Sequence, residues 1–183
     1  MMFKLVKTAC AFTMALLLNV LPADAQARDV PVDNSFKSYM SYRAITNTAS
    51  DQYAFQQQCV TDHNGLRVYN GRYCIAVGTY YTNEVGVNID VVMQNGTVIP
   101  CVTGDIKSDT HTDVTNRQIP VNGNVVEFIV DTAVLPNSVR VSGDVSAIPG
   151  FDGEIAYLDV HSDSIVLTTY MTEDLVFTTF VTE

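Results

Sequence analysis

The densest group of reactive side chains lies in the segment 104–113, which reads GDIKSDTHTD. It combines three carboxylates with one imidazole and one ammonium group: Asp105, Asp109, Asp113, His111 and Lys107. Such carboxylates can act as general acid and base or bind a hard cation, and a loop rich in Asp, Ser and Thr can also simply satisfy its own backbone. The segment lacks the Gly and Glu of an EF-hand loop, and no Cys or His spacing resembles a structural zinc site. We therefore predict neither a metal nor a cofactor.

A second candidate is Glu127, which interrupts the strongly apolar run VVEFIV at 125–130. If this run is a β-strand, alternation places Val126, Phe128 and Val130 on one face and Glu127 on the other. The all-apolar face predicts contact with the core, so Glu127 faces a polar groove or solvent. A charged group buried there without a partner would be strongly destabilising.

Composition limits the class of protein. The chain has 183 residues, of which 47% are hydrophobic and 16% charged, so a folded domain is expected rather than a disordered chain. The net charge is −10. This charge argues against nucleic-acid binding, which needs a basic surface, and against electrostatic adhesion to an anionic membrane.

The first 25 residues have the pattern of a secretory signal peptide. Lys4 and Lys7 precede an almost continuously apolar stretch at 9–21, and Ala23 and Ala25 provide the small residues that a signal peptidase reads. We predict cleavage after Ala25 and a secreted, extracellular or cell-wall location, with no membrane association afterwards. Cleavage removes two positive charges and one negative charge, which changes the net charge from −10 to −11.

Three cysteines remain after this cleavage: Cys59, Cys74 and Cys101. Because three is an odd number, at least one of them has no partner within the chain. Cys59 and Cys74 flank a turn-rich segment that can bring them together in a disulfide. All three can equally be small buried hydrophobic residues.

The sequence pattern from residue 66 onward is typical of β-structure. Short runs rich in Val, Ile and Tyr alternate with Asn-Gly turn signals, and the strongest hairpin signal is VNIDVVMQ-NG-TVIPCV at 87–102. We predict strands at 73–81, 87–93, 97–102, 125–131, 139–141, 154–160 and 165–181, the last as a hairpin around 173–174. The predicted organisation is a partly helical N-terminal extension at 26–65, a β-barrel at 66–160 and C-terminal strands at 161–183.

Helical spacing of Tyr39, Tyr42 and Ile45 favours a helix in the extension, and the segment 47–51 looks like a break followed by a new helix start. A short internal echo also occurs, because VTGDI at 102–106 reads again as VSGDV at 141–145. If the echo is structural, it indicates two related halves around one core.

Three stretches together resemble a known family: GRYCIAVGTYY, VGVNIDVVMQNGTVIPCVTGDIKSDTHTD and NGNVVEFIVD. They resemble the 3D domain, which is related to the catalytic barrel of the MltA-type lytic transglycosylases. The resemblance covers about residues 66–160. It implies a mainly β fold with a six-stranded double-psi β-barrel, closed and mostly antiparallel, in a secreted cell-wall protein of Gram-positive type.

The resemblance also implies site residues. Asp105 matches the first aspartate of the family loop and would be the supporting carboxylate, while Glu127 matches the second and would be the general acid. The two carboxyls are then expected to face one groove. Asp109, His111, Asp113 and Lys107 are the predicted substrate-binding residues of the adjoining loop.

Two functions follow as alternatives. The first is a lytic transglycosylase-like enzyme that cleaves peptidoglycan glycan strands with one carboxyl as acid and base. The second is a non-catalytic β-barrel that binds cell-wall glycan or a protein partner. The chain lacks the Gly-Gly pair of the family loop, and its loop between Asp105 and Glu127 is longer, which favours the second; the acidic pair favours the first.

Overall fold

The computed structural model describes residues 25–161 and, as backbone, the strands at 165–172 and 175–182. The predicted signal peptide therefore lies almost wholly outside the described residues. The chain divides into two units, of which the larger spans Ala23–Asp163. The mainly β class is confirmed, since two short α-helices and two 3₁₀ turns accompany the strands.

The strands of the larger unit are β1 (Ala25–Asp29), β2 (Tyr39–Ser41), β3 (Val60–Thr61), β4 (Arg67–Tyr69), β5 (Arg72–Val77), β6 (Asn88–Met93), β7 (Val98–Ile106), β8 (Glu127–Val130) and β9 (Ile155–His161). The helices are α1 (Asp51–Gln56) and α2 (Asn137–Ser142), and the 3₁₀ turns span Tyr42–Ala44 and Val145–Ala147. Most long strands are rich in Val and Ile, which pack well on a pleated surface.

These nine strands form one mixed sheet in the order β1-β9-β6-β7-β5-β4-β3, and β8 pairs with both β5 and β2. β5 runs parallel to β7 and β2 runs parallel to β8, while the other pairs are antiparallel. Within residues 25–161 the sheet does not close on itself. The six-stranded, closed double-psi barrel is therefore not confirmed. Strands from 25–41, which the sequence assigned to an extension, extend the sheet instead.

The hairpin signal at 87–102 is confirmed, because β6 and β7 pair in antiparallel register from Asn88↔Val102 to Val92↔Val98. The helix start within 47–51 is also observed: Ser50 caps α1, and its hydroxyl accepts a hydrogen bond from the Tyr53 amide at 3.2 Å. The helix expected over Tyr39–Ile45 is wrong at its beginning. Tyr39–Ser41 instead pairs with β8, which outweighs the local spacing signal.

The segment 139–141, predicted as a strand, lies in helix α2. The two members of the internal echo consequently differ in structure: 102–106 is the end of β7, while 141–145 spans the end of α2 and a 3₁₀ turn. The echo is therefore not a structural repeat. In the smaller unit, β10 (Ile165–Thr172) and β11 (Leu175–Thr182) form the predicted antiparallel hairpin, with Thr172 opposite Leu175.

The sheet of the larger unit is covered on both faces near β5. One face carries the main core, to which Ile75, Val77, Phe128 and Val130 belong. The other face carries a smaller cluster, the α1-side cluster, formed by Phe55, Cys59, Cys74, Val102 and Ile129. Glu127 alternates with Phe128 along β8, so the prediction that the apolar face of this strand contacts the core is confirmed. The opposite face is not open solvent, because helix α1 packs over part of it.

Candidate active site

Asp105 and Glu127 lie on the two strands that flank β5. Ala76 of β5 is the register partner of both: it pairs with Asp105 on β7 and with Glu127 on β8. Register partners point to the same face of a sheet, so the two carboxyls share a face with only a methyl group between them. Two interstrand spacings separate their Cα atoms by about 9–10 Å. Sequence reasoning predicted two carboxyls on neighbouring elements that face one groove. They share a face, but β5 with Ala76 lies between their strands, and the common groove stays a prediction.

A β-bulge determines the direction of Asp105. Ile75 pairs with Thr103, but the next residue, Ala76, pairs with Asp105, so Gly104 is the extra residue in β7. Val102 faces α1, and in a regular strand Asp105, three residues later, would face the main core. The bulge turns the carboxyl to the face that carries α1.

Gly104 also allows α1 to lie close to β7. A Cβ atom at this position would stand 2.7 Å from the Ile129 side chain and 2.8 Å from the Gln56 amide. A side chain larger than hydrogen therefore needs the ends of the buried Ile129 and Gln56 side chains to move. In this Gly-Asp pair, the glycine allows α1 to pack closely on β7, and the bulge at the same residue turns the Asp105 carboxylate to the α1 side.

Burial raises the pKa of the Asp105 carboxyl above its ordinary value, and the nearby charge of Glu127 acts in the same direction. Two contacts oppose this shift: the amide of Ile106 donates to Asp105 Oδ1 at 2.9 Å, and the side chain of Gln52 approaches from α1. The net effect favours the protonated form. Asp105 is therefore the carboxyl of this pair that is suited to donate a proton.

Glu127 is held by a short chain of hydrogen bonds. The hydroxyl of Ser38 donates to Glu127 Oε1 at 3.0 Å, and the side-chain amide of Asn124 donates to Ser38 Oγ at 2.6 Å. Asn124 is fully buried, and its Oδ1 accepts a hydrogen bond from the Ser38 amide at 3.2 Å. These contacts keep the Glu127 carboxylate in one position at the start of β8.

Lys107 is buried rather than open to a ligand. Its ammonium group donates to the carbonyl oxygens of Asn124 and Val125 at 3.1 and 2.9 Å. Burial lowers the pKa of Lys107 to about 8, against the opposing effect of Glu127. A positive charge close to Glu127 is thus present at neutral pH and disappears as the pH rises above 8.

The loop after β7 contains the other predicted substrate-binding residues. Asp113 organises the loop itself, because its carboxylate accepts from the amides of Arg117 and Gln118 at 2.7 and 3.0 Å and from the hydroxyl of Thr115. Burial acts to raise the pKa of Asp113, but these hydrogen bonds outweigh it and lower the pKa to about 2. The backbone-satisfying role that the sequence left open is therefore observed for this residue.

Asp109 and His111 are exposed in the same loop. Asp109 Oδ1 accepts a hydrogen bond from the Thr79 hydroxyl at 2.7 Å, which links the loop to the end of β5. Their roles toward a substrate stay predictions.

A cavity of about 520 Å³ lies between α1 and the loop that precedes β6; Ile106 lines it, whereas Asp105 and Glu127 do not. Its walls are formed by Asp51, Gln52, Ala54, Phe55, Gln58, Asn83, Glu84, Val85 and Ile106. These lining residues supply amide and carboxylate groups with a few apolar surfaces, and none of them is basic. Such a lining suits neutral hydroxyl- or amide-bearing ligands better than anions.

Three residues of the site carried no local sequence signal. Ser38 and Asn124 hold Glu127, and Gln52 approaches Asp105, yet each lies in a different segment of the chain. Only the parallel pairing of β2 with β8 brings Ser38 next to Glu127.

Within the described part of the chain, no three His, Cys, Asp or Glu side chains are grouped so that they could hold a metal ion. None of its helices has the length and apolar character to cross a membrane. No protein-family model, curated protein or solved structure matches the chain.

Proposed function

We propose that this protein is a secreted cell-wall protein that cleaves peptidoglycan glycan strands by general acid/base catalysis at the Asp105–Glu127 pair. The observation that carries the proposal is the shared register partner Ala76, which puts both carboxyls on one face, combined with the raised pKa of Asp105. A carboxyl group with a raised pKa on the same face as a second carboxyl group is an arrangement suited to glycosidic bond cleavage.

The proposal includes a relation between this open sheet and the double-psi barrel of 3D-domain proteins. Its support is the order of strand, Asp105 loop and Glu127 strand along the chain, together with the parallel pairing of β5 with β7.

We assign the two carboxyls the reverse of the roles that the family resemblance implies. Asp105 donates its proton to the glycosidic oxygen of the leaving sugar, since its raised pKa favours the protonated form. Glu127, fixed by Ser38, stabilises the positive charge that develops on the anomeric carbon. The Asp105 carboxylate then accepts the proton of the muramyl 6-hydroxyl as that oxygen attacks its own anomeric carbon, which yields a 1,6-anhydro end.

The cavity lined by Gln52 and Ile106, which are a contact and the chain neighbour of Asp105, supports a carbohydrate substrate. Its volume falls in the range of small-molecule sites, roughly 300–1,000 Å³. Gln52, Asn83 and Gln58 offer amide groups to sugar hydroxyls and N-acetyl groups, and Phe55 offers an apolar surface. Glycan strands carry both kinds of group.

The test is digestion of purified peptidoglycan followed by mass spectrometry of the soluble products. We expect anhydromuramyl ends from the wild type, and a loss of at least about 100-fold in their rate of release for Asp105→Asn and Glu127→Gln. Glu154→Gln is the matched control, because Glu154 precedes β9 and contacts Gln94 rather than the pair.

Each other outcome has a distinct meaning. Products with ordinary reducing ends would show that water rather than the 6-hydroxyl attacks the anomeric carbon. Retention of the protein on purified cell walls without any soluble product would support the alternative function, a non-catalytic module that binds cell-wall glycan. Full activity of Asp105→Asn would remove Asp105 as the acid.

The rate should also depend on pH in one direction. Since Asp105 must carry its proton to act, the rate of release should fall as the pH rises through the raised pKa of Asp105. A rate that increases across this range would contradict the assignment. The measurement is the initial rate of anhydromuramyl release in a series of buffers at constant ionic strength.

A further inference from the structure

Two of the cysteines described lie in direct contact. The Sγ atoms of Cys59 and Cys74 are 3.4 Å apart, although the residues are separated by 15 positions in the chain. Cys59 follows the C-terminal end of α1, and Cys74 lies within β5. Both belong to the α1-side cluster, and only Cys59 retains a small exposed fraction, 8%.

The third cysteine of the described residues is placed elsewhere. Cys101 is fully buried on β7 and belongs to the main core, on the opposite face of the sheet. Its register partners are Tyr73 and Ile89, so no thiol stands beside it in either neighbouring strand. The structure therefore selects one pair out of the three pairs that the sequence allows.

The surroundings of Cys59 prepare it for thiol chemistry. The Arg67 guanidinium donates to the carbonyl oxygen of Cys59 at 2.8 Å and to that of Gln56 at 2.6 Å. The hydrogen bond with Cys74 lowers the pKa of the Cys59 thiol, and the charge of Arg67 adds to this effect, against the opposing effect of burial.

We propose that Cys59 and Cys74 are a specific oxidation site, at which a disulfide forms between the end of α1 and β5 on contact with a disulfide oxidant. The sulfurs need to approach by roughly 1.3 Å in total to reach the usual bond length of about 2.05 Å. This inference does not depend on the proposed function.

The reaction balances as a thiol–disulfide exchange. The Cys59 thiolate attacks one sulfur of the oxidant and releases the first oxidant thiol. Cys74, whose pKa is raised by its contact with Cys59 and by burial, then gives up its proton as its sulfur attacks Cys59 Sγ and releases the second oxidant thiol. Overall, two S–H bonds break and one S–S bond forms, and the oxidant disulfide takes up two electrons and two protons as it becomes two thiols.

The bond would fasten one wall of the candidate site. Helix α1 carries Gln52, which approaches Asp105, and Phe55, which lines the cavity. A link from Cys59, three residues beyond the end of α1, to β5 ties that wall to the strand that bears Ala76. The disulfide therefore limits how far α1 can separate from the acidic pair.

The test uses the full chain after incubation with oxidised glutathione. Free thiols are blocked with N-ethylmaleimide under denaturing conditions, and digestion with trypsin and chymotrypsin is followed by mass spectrometry without reduction. Chymotrypsin is needed because only cleavage at Tyr80 or Tyr81 separates Cys74 from Cys101, whereas trypsin leaves them on one peptide.

We expect a linked peptide pair that contains Cys59 and Cys74, with Cys101 carrying maleimide. Maleimide on both Cys59 and Cys74 after oxidation, or a bridge that contains Cys10 or Cys101, would overturn the proposal.

A second measurement compares melting temperatures with and without dithiothreitol. Closing a loop of 15 residues should raise the Tm of the oxidised protein by about 6–12 °C. Cys101→Ala is the matched control and should keep this difference, since each variant is compared with itself with and without dithiothreitol. The variant Cys59→Ala/Cys74→Ala should lose it, and an unchanged difference in that variant would contradict the pairing.

Discussion

The segments 102–106 and 141–145 have nearly the same sequence, VTGDI and VSGDV, but perform different structural tasks. In the first, Gly104 is the bulged residue of a strand and Asp105 is half-buried beside a second carboxylate. In the second, Gly143 ends helix α2 with φ = 73°, and Asp144 caps the 3₁₀ turn that follows. The local sequence alone therefore does not assign a role to a Gly-Asp pair.

The two aspartates differ in the donors that surround them. Asp144 Oδ1 accepts from the amides of Ser146 and Lys37 at 2.9 and 3.1 Å, and its charge also supports the buried Lys37 ammonium. Asp105 receives one backbone amide, from Ile106, and stands near the negative charge of Glu127. Two backbone amides thus stabilise the Asp144 carboxylate, whereas burial and the charge of Glu127 raise the pKa of Asp105. Perturbed pKa values are common at functional sites.

Gly104→Ala should have the largest effect on stability. Its new methyl group meets the ends of the Ile129 and Gln56 side chains at 2.7–2.8 Å, and because both side chains are buried, they must repack in a crowded space. We expect a loss of about 1–3 kcal/mol in the free energy of unfolding, measured by urea denaturation. An unchanged midpoint would show that the helix is loosely seated on the strand.

Asp144→Ala should follow with a loss of about 1–2 kcal/mol, because the 3₁₀ turn loses its cap and the Lys37 amide loses its acceptor. Urea denaturation at neutral pH measures it. Asp152→Ala is the control, since Asp152 is exposed and shares only the charge effect on Lys37. Equal losses in the two variants would mean that the cap contributes nothing.

Gly143→Ala should cost about 1 kcal/mol. The position has a left-handed backbone, which a residue with a Cβ adopts at a cost, but no atom lies within 4 Å of the new methyl group. Comparison with Gly104→Ala in the same denaturation experiment thus separates backbone strain from crowding. A cost larger than that of Gly104→Ala would contradict this distinction.

Asp105→Asn should have the smallest effect, and the opposite sign: a gain of less than about 1 kcal/mol at pH 7. Because folding raises the pKa of Asp105 above 3.8, its stabilising contribution is full below pH 3.8 and is lost as the pH rises through the folded pKa. The variant should therefore gain stability over the wild type at pH 7 but not at pH 3. Denaturation at both pH values tests this, and a loss at pH 7 would show that the carboxylate stabilises the fold.

Three features were predictable from the sequence: the mainly β class, the β6–β7 hairpin and the placement of Asp105 and Glu127 on a common face. Alternating or continuous apolar runs and Asn-Gly turns are local signals, and they were sufficient for those elements. The strand at Tyr39–Ser41 was not predictable in this way, because its stabilising partner is β8, far along the chain. Segment 139–141 shows the converse error, since three residues with two valines do not exclude a helix.

The site shows the same limit. The bulge at Gly104 exists only in the register of β5 with β7, and it alone decides which face Asp105 occupies. The positions of Ser38, Gln52 and Asn124 next to the two carboxyls likewise depend on contacts between distant parts of the chain. Family resemblance supplied the two carboxyls, whereas their different environments emerged only from the structure.

The pairing of β1 with β9 has a consequence for the time course of folding. These strands lie at opposite ends of the larger unit in sequence, with Ala25 opposite His161, yet they are neighbours in the sheet. During synthesis β1 cannot pair until β9 has been made. Until then the backbone hydrogen-bonding groups at the outer edge of β6 are unpaired and accessible to other chains. Closing so long a loop makes refolding slow, and a chain interrupted before residue 155 is left with an unpaired, aggregation-prone edge.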